Sequence, residues 1–368
     1  LRLSYWDICE LERSCDIVVV GAGIVGLSAA IDLARQRPDL TIEIFEKETY
    51  GTLASSRNAG FACFGSISEI YADIDRYGLD QTLSLVQKRR AGINKIRERY
   101  GPEAIDYKGH GGYEVFIGED EYSREAGRID DINQRLGADI FRSTTLDEGL
   151  SFYRHAIINQ EEGQINTGKL YARLEREALS HDIKVVRGVQ VKEVDNGYIS
   201  FEVLGFQDSL NKKADQVILC TNALSSDISK GEDIIPVRNQ VLVTSPLKNL
   251  SWKGTYHQDH GYIYFRNIGD RILIGGARHK YPDEQTGQLG SNTSNQHFLV
   301  EYIKKYLVNS NTEVQVAKSW SGILSGGASR LPIVKRIDDH TILAARLSGM
   351  GVAIGMSIGE EAATLLLS

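Results

Sequence analysis

A short β-branched run that ends in glycines at fixed spacing constrains this chain more than any other feature. Asp16 to Val20 (DIVVV) reads as a fully buried parallel strand, and Gly21-Ala22-Gly23-Ile24-Val25-Gly26 follows it at once. From Ile24 to Gln36 the apolar residues Val25, Leu27, Ala29, Ala30, Leu33 and Ala34 keep helical spacing, and Arg37-Pro38-Asp39 ends the helix. Thr41 to Phe45 (TIEIF) is a second strand, closed by Glu46. This order of elements, with an acid about 20 residues past the last glycine, is the pattern of a dinucleotide-binding unit.

A lone glycine triplet signals only a turn, and the elements on both sides are what raise this one. Without Cβ atoms, Gly21, Gly23 and Gly26 let the backbone approach a diphosphate, while the helix N-terminus offers unpaired N–H groups and a partial positive charge. Glu46 is positioned to accept from ribose hydroxyls, and its charge disfavours a 2′-phosphate.

The chain has 36 glycines beside 6 prolines, with no glycine period and no low-complexity tract, so the excess serves particular backbone sites. Its 42 basic and 49 acidic side chains give a net charge of -7 and no basic face for nucleic acid. The length of 368 residues suggests two or three folding units at about 150 residues each. Cys9, Cys15, Cys63 and Cys220 form no C-x-x-C pair, which reads as reduced thiols in the cytoplasm. The N-terminal LRLSYWDICELERSCD lacks an apolar core segment, so no signal peptide is expected. The uncharged stretch from Ile17 to Ile31 is shorter than the ~20 residues of a membrane span.

Beyond the first unit, Gln81 to Tyr100 reads as an amphipathic helix, Tyr113 to Ile117 as a strand and Lys169 to Leu179 as a helix. Lys184 to Val186, Val189 to Val194, Tyr198 to Leu204 and Gln216 to Leu219 read as strands. After Pro236, the segments Gln240 to Thr244, Tyr262 to Arg266 and Arg271 to Ile274 predict a mainly antiparallel sheet. Glu301 to Leu307 reads as a short helix, and the chain closes with a strand at Thr341 to Ala345, a glycine loop and a helix from Met356 onward. The expected fold is α/β: a Rossmann-like dinucleotide-binding domain from residues 1-80, 160-235 and 325-368, interrupted by an α+β substrate domain from 81-159 and 236-324.

Two further stretches bear on a ligand. Ser55-Ser56-Arg57-Asn58-Ala59-Gly60-Phe61 is a serine-capped glycine loop shortly after Glu46, and Ser348-Gly349-Met350-Gly351-Val352-Ala353-Ile354-Gly355-Met356 joins a strand to the last helix. A helix N-terminus there would stabilise negative charge on a reduced flavin ring. His257 and His260 lack partner cysteines or an H-E-x-x-H helix, so a solvated loop is expected there and no metal.

Taken in order, these stretches resemble the D-amino-acid oxidase superfamily of FAD-dependent oxidoreductases, with its glycine oxidase, sarcosine oxidase and gamma-glutamylputrescine oxidase branches. The resemblance also runs through Val217 to Ala223, Pro236-Val237-Arg238-Asn239-Gln240, the Tyr262 to Gly276 hairpin, Trp320-Ser321-Gly322 and Arg330-Leu331-Pro332. It implies non-covalent FAD, since no cysteine lies beyond Cys220 to form a C-terminal flavin link.

Carried over residue by residue, it implies that Gly21, Gly23, Ile24, Val25, Gly26, Glu46 and Lys47 hold the ADP half of FAD. Ser55, Ser56, Arg57, Asn58, Ala59 and Gly60 would line the pyrophosphate and flavin, and Val191 would bind adenine through its backbone. Thr221 and Asn222 complete the nucleotide side, while Gly349, Met350, Gly351, Val352, Ala353 and Ile354 would follow the flavin pyrimidine edge.

Two departures matter. Glycine oxidase-like members carry a carboxylate-binding arginine where this chain has Leu324, and the oxygen-activating lysine of sarcosine oxidases matches Leu273. The Arg330-Leu331-Pro332 stretch and the Ser4-Tyr5-Trp6 start are similar to the gamma-glutamylputrescine oxidase branch. Candidates for the substrate side are Tyr262, Tyr264, Arg266, Arg278 and Arg330, while Cys63 reads as a buried inert thiol.

The resemblance implies oxidation of a C–N bond in a small amine or amino acid by hydride transfer to flavin N5, giving an imine that water hydrolyses. O2 or another acceptor then takes the electrons. An FAD-dependent 2-hydroxy-acid or polyol dehydrogenase, and a non-catalytic flavin-containing subunit, are the competing readings. The resemblance leaves the oligomeric state open.

Overall fold

The computed structural model describes every residue except 51–53, 147, 151, 230, 249, 282–283 and 285. Its first sheet grows from the strand Cys15–Val20, whose last four residues are buried. This strand pairs in parallel with Ile42–Glu46 on one side and Ser209–Leu219 on the other. The crossover from Cys15–Val20 to Ile42–Glu46 is the helix Ile24–Gln36, whose apolar face packs back on the sheet. Lys184–Arg187 extends the sheet beyond Ile42–Glu46, and Thr341–Ala345 and Ile333–Arg336 extend it beyond Ser209–Leu219.

A second eight-stranded sheet runs Val316–Gly326, Ile235–Thr244, Arg271–Gly276, Ile263–Ile268, Thr255–Gln258, Gly112–Phe116, His155–Asn159, Phe141–Thr144. Its pairings are antiparallel except that of Thr255–Gln258 with Gly112–Phe116. Its own core is aromatic, with Trp252, Tyr256, Phe265 and Tyr302 packed together. Alternation along Ile263–Ile268 sends Ile263 and Phe265 into that core and leaves Tyr264 and Arg266 on the opposite face.

Several elements differ from the sequence expectations. The closing helix is Gly351–Leu367, so the glycine stretch read as a loop forms its first turn rather than preceding it. Helix packing decides this: a Cβ on Gly355 would lie 2.6 Å from Ile24, and one on Gly359 would lie 2.6 Å from the Val25 carbonyl. The strand expected at Gln216 to Leu219 begins at Ser209, because the antiparallel partner Tyr198–Val203 extends its ladder. The expected helix at Glu301 to Leu307 is instead the end of Thr293–Tyr302 continued by a π turn, Ile303–Leu307. A helix not foreseen, Tyr5–Glu12, opens the chain, with Ser4 and Asp7 forming a capping box. No described helix is long and apolar enough to cross a membrane.

Candidate FAD-binding and active site

The glycine turn is built by backbone crowding. Gly21 has φ +104°, its N–H donates to the Phe45 carbonyl at 2.8 Å, and a Cβ there would sit 2.8 Å from the Cys220 carbonyl oxygen. A Cβ on Gly26 would fall far inside contact distance of the Gly21 carbonyl. Gly23 is the helix N-cap and supplies no side-chain cap, which leaves the first N–H groups for other acceptors. One of them, Ile24 N–H, donates to Ser55 Oγ at 2.9 Å, so Ser55 meets the turn although 31 residues separate the two.

Glu46 ends its strand buried, 4% exposed. Its Oε2 accepts from Ala22 N–H at 2.7 Å and its Oε1 from Glu48 N–H at 2.9 Å, and burial raises its pKa against those bonds. The carboxylate therefore fixes the glycine turn. Ile24 and Val25 are buried in the helix, and Lys47 is half-buried beside the turn.

The segment after Glu46 forms a short helix, Ala54–Arg57. Asn58 is spent locally, donating to the Ala54 and Ser55 carbonyls and accepting from Gly60 N–H at 2.9 Å. Arg57 Nε donates to the Ser321 carbonyl at 2.5 Å, and Trp320 Nε1 donates back to the Arg57 carbonyl at 2.8 Å. Ser56 accepts from Thr167 Oγ1, and Ala59 packs with Leu273 and Val241.

Val191 lies on Val189–Asp195, where the register with Tyr198–Val203 shifts. Thr221 hydrogen-bonds Ser225 Oγ at 2.8 Å, and Asn222 accepts from Ser325 Oγ at 2.6 Å.

At the other end, Met350 is the N-cap of Gly351–Leu367, and the helix presents its first N–H groups without a side-chain acceptor. Among the described residues, nothing lies within 4 Å of where a Cβ would stand on Gly349 or Gly351. The buried Ser348 Oγ has no partner among the described residues. Open space beside a helix N-terminus and an orphaned hydroxyl suit a planar, hydrogen-bonding ring that becomes anionic. Cys63 is buried with Sγ 3.9 Å from Met350 Sδ, and desolvation raises its pKa, as befits an unreactive thiol.

On the facing hairpin, Tyr264 hydroxyl accepts from Asn239 Nδ2 at 2.9 Å, and its ring meets Phe61 edge-on at 5.5 Å. Burial pushes its pKa up to about 12. Tyr262 lies under the Arg278 guanidinium, 5.1 Å from its ring centroid, and beside His279. Arg278 has no carboxylate partner among the described residues. Burial first, and the Arg330 charge as well, hold it below its ordinary value. Arg330 reaches Asp73 at 3.5 Å.

Arg266 stands apart from this group. Its Nε and Nη2 donate to the Ala59 and Ile165 carbonyls at 2.6 and 3.2 Å, and burial lowers its pKa to about 10. His257 is buried in a strand rather than in the solvated loop expected of it, with its ring edge-on to Phe61 at 5.1 Å; His260 is exposed in the turn.

Sequence reasoning did not assign Asn239, whose buried Oδ1 has no partner among the described residues. The signal was a polar side chain between Val237 and Val241 in a strand. Its neighbours Arg238 and Gln240 both bind the buried Glu284, at 2.8 and 2.6 Å, which explains the polar run as a structural lock.

Residues 16–365 match the DAO family, described as FAD dependent oxidoreductase. The chain belongs to this family. It is 22% identical over 380 residues to a probable oxidoreductase OrdL of Rhizobium meliloti, covering 97% of this chain and 84% of that protein. It is 23% identical over 396 residues to gamma-glutamylputrescine oxidoreductase of Escherichia coli, covering 99% and 86%. The glycine oxidase structure from Geobacillus kaustophilus superposes with TM-score 0.78 at 19% identity, over 96% of this chain and 95% of that one. This DAO-family chain is thus an FAD-dependent oxidoreductase, and the glycine turn and the open face at Gly349 and Gly351 fit its cofactor.

Proposed function

We propose that this DAO-family chain oxidises the C–N bond of a small amine or amino acid, yielding an imine that water hydrolyses. Bound FAD supplies the two-electron acceptor for that bond. The residues assigned to it are Gly21, Gly23, Ile24, Val25, Gly26, Glu46, Lys47, the Ser55 to Gly60 segment, Val191, Thr221, Asn222 and Gly349 to Ile354. We assign residues 1-80, 160-235 and 325-368 to the FAD-binding domain, residues 81-159 and 236-324 to the substrate domain, and the protein to the cytoplasm.

The observation that carries the reading is the Tyr262–Arg278 stack beside Arg330, on the same hairpin as Tyr264 and near the Phe61–Cys63 segment. Two guanidiniums disfavour a protonated amine next to them, and hydride loss requires the neutral amine. Tyr262 and Tyr264 orient the substrate, while Phe61 and the apolar Leu273 exclude water. Arg266 turns away into backbone carbonyls, so we withdraw it from the substrate set.

An anaerobic screen of the purified, FAD-loaded protein tests this. Amino acids, N-methyl amino acids or acylated polyamines bleach the visible flavin band, and 2-hydroxy acids and polyols do not. Bleaching by hydroxy acids alone would replace the reading with the dehydrogenase, and bleaching by nothing with the non-catalytic subunit. Oxygen uptake in the same assay separates O2 from another acceptor. Arg278→Leu lowers kcat/KM on the best substrate about tenfold, a loss of about 1.4 kcal/mol of transition-state stabilisation.

A further inference from the structure

A run of hydroxyls joins the substrate hairpin to a buried carboxyl. Glu69 lies half-buried in the first turn of the helix Ile67–Tyr77, with Oε1 2.7 Å from where a Cβ on Gly261 would stand. Gly261 precedes Tyr262, and the Glu69 charge reaches Arg278. The other oxygen, Oε2, accepts from Ser66 N–H and Ser66 Oγ at 3.2 and 3.1 Å. Ser66 Oγ stands 3.5 Å from Ser68 Oγ, and Ser68 Oγ donates to Glu114 Oε1.

A helix cap accounts for Ser66 and Glu69 alone. It has no use for the buried Ser68, nor for Glu114, which is 6% exposed on the strand Gly112–Phe116 and has no cation in ion-pair range among the described residues. Ser66, Glu114, Glu162 and His257 share a space of about 10 Å³. That holds one water at most, so hydroxyls rather than a file of solvent link the two carboxyls. Glu69, Glu125 and Glu162 face Glu114, while Asp73, Arg89, Arg278 and His257 face Glu69. Burial first, with the Glu69 and Glu125 charges, pushes Glu114 up to about 7 against its Ser68 bonds. It therefore takes up a proton near neutrality.

We propose that Glu69, Ser66, Ser68 and Glu114 form a proton relay that draws the proton of a bound substrate ammonium into the protein, an inference that rests on the amine-oxidation reading. Glu69 is the base that meets the substrate nitrogen. It passes the proton through Ser66 and Ser68, each accepting one proton as it donates another, and Glu114 ends as the carboxylic acid. One N–H bond breaks, one O–H bond forms on Glu114 and no electron moves, which leaves the neutral amine that hydride loss requires. The 3.5 Å between the hydroxyls is the resting state: each spends its proton on its own carboxylate, and their lone pairs face each other.

Anaerobic stopped-flow reduction of the flavin by glycine, sarcosine and N-acetylputrescine tests the relay in the FAD-loaded parent, Ser68→Ala and Glu114→Gln. Near neutral pH each variant is reduced about tenfold more slowly than the parent, less than the full share of a positioned base because Glu69 remains. At about pH 10, where a free alkylammonium has largely lost its proton, both variants match the parent. Either variant carries the test if the other fails to retain FAD. A deficit equal at every pH marks a merely structural role and overturns the relay, as does a variant with the parent's rate near neutral pH. If no amine reduces the parent, the amine-oxidation reading falls and the relay with it; if amines reduce parent and variants alike, the relay alone falls.

Discussion

Glu162 is 2% exposed and accepts from Phe64 and Gly65 N–H groups through Oε1 alone, with no cation in ion-pair range among the described residues. Burial outweighs those bonds and pushes its pKa up to about 8, while Glu114, held by Ser68, rises to about 7 for the same reason. Both carboxyls prefer the proton when folded, so their stabilisation is complete below the unfolded value of roughly 4.3 and is lost as pH climbs through about 8. The buried His257, whose pKa burial lowers, acts the other way, destabilising the fold as pH falls below its ordinary value. Glu162→Gln therefore flattens the decline of melting temperature from roughly pH 4.3 up to about pH 8, checked by melts across a pH series. None of this was legible in the sequence, where both glutamates look like ordinary surface acids; a β-strand and a loop bury them. The glycine turn and Glu46 were legible, because local backbone geometry demands those residue types.

The closing helix shows what element boundaries depend on. Its glycines suggested a loop by propensity, yet Gly355 and Gly359 lie against the helix Ile24–Gln36, and Gly92 of Leu79–Tyr100 lies against the Ala353 carbonyl. Glycine costs about 1 kcal/mol in a helix interior, and close helix approach returns more than that. Gly359→Val would force side-chain atoms into the Val25 carbonyl and Ala29 N–H, and loses at least about 2 kcal/mol of stability, measured by denaturant unfolding. Gly78→Ala, with nothing within 4 Å among the described residues but φ +84°, costs about 1 kcal/mol through backbone strain alone in the same experiment.

At the scale of the whole molecule, the first sheet draws strands from both ends of the chain, so residues near 20, 220 and 350 meet along one edge. A ligand that spans those segments couples them. FAD-loaded protein thus melts above the stripped form, and stability rises by about 1.4 kcal/mol for each tenfold excess of free FAD, read by thermal melts at graded FAD. A melting temperature indifferent to FAD would contradict cofactor binding across the three segments. The sequence by itself determined the dinucleotide unit, the α/β class and the family, because a strand, tight turn and helix are specified by near neighbours. Only the tertiary structure decided that Arg266 turns into the Ala59 and Ile165 carbonyls, that Arg278 stacks on Tyr262 and that Glu162 is buried. Those outcomes depend on which distant strands pair and on what water can reach, and no local pattern of residue types encodes either.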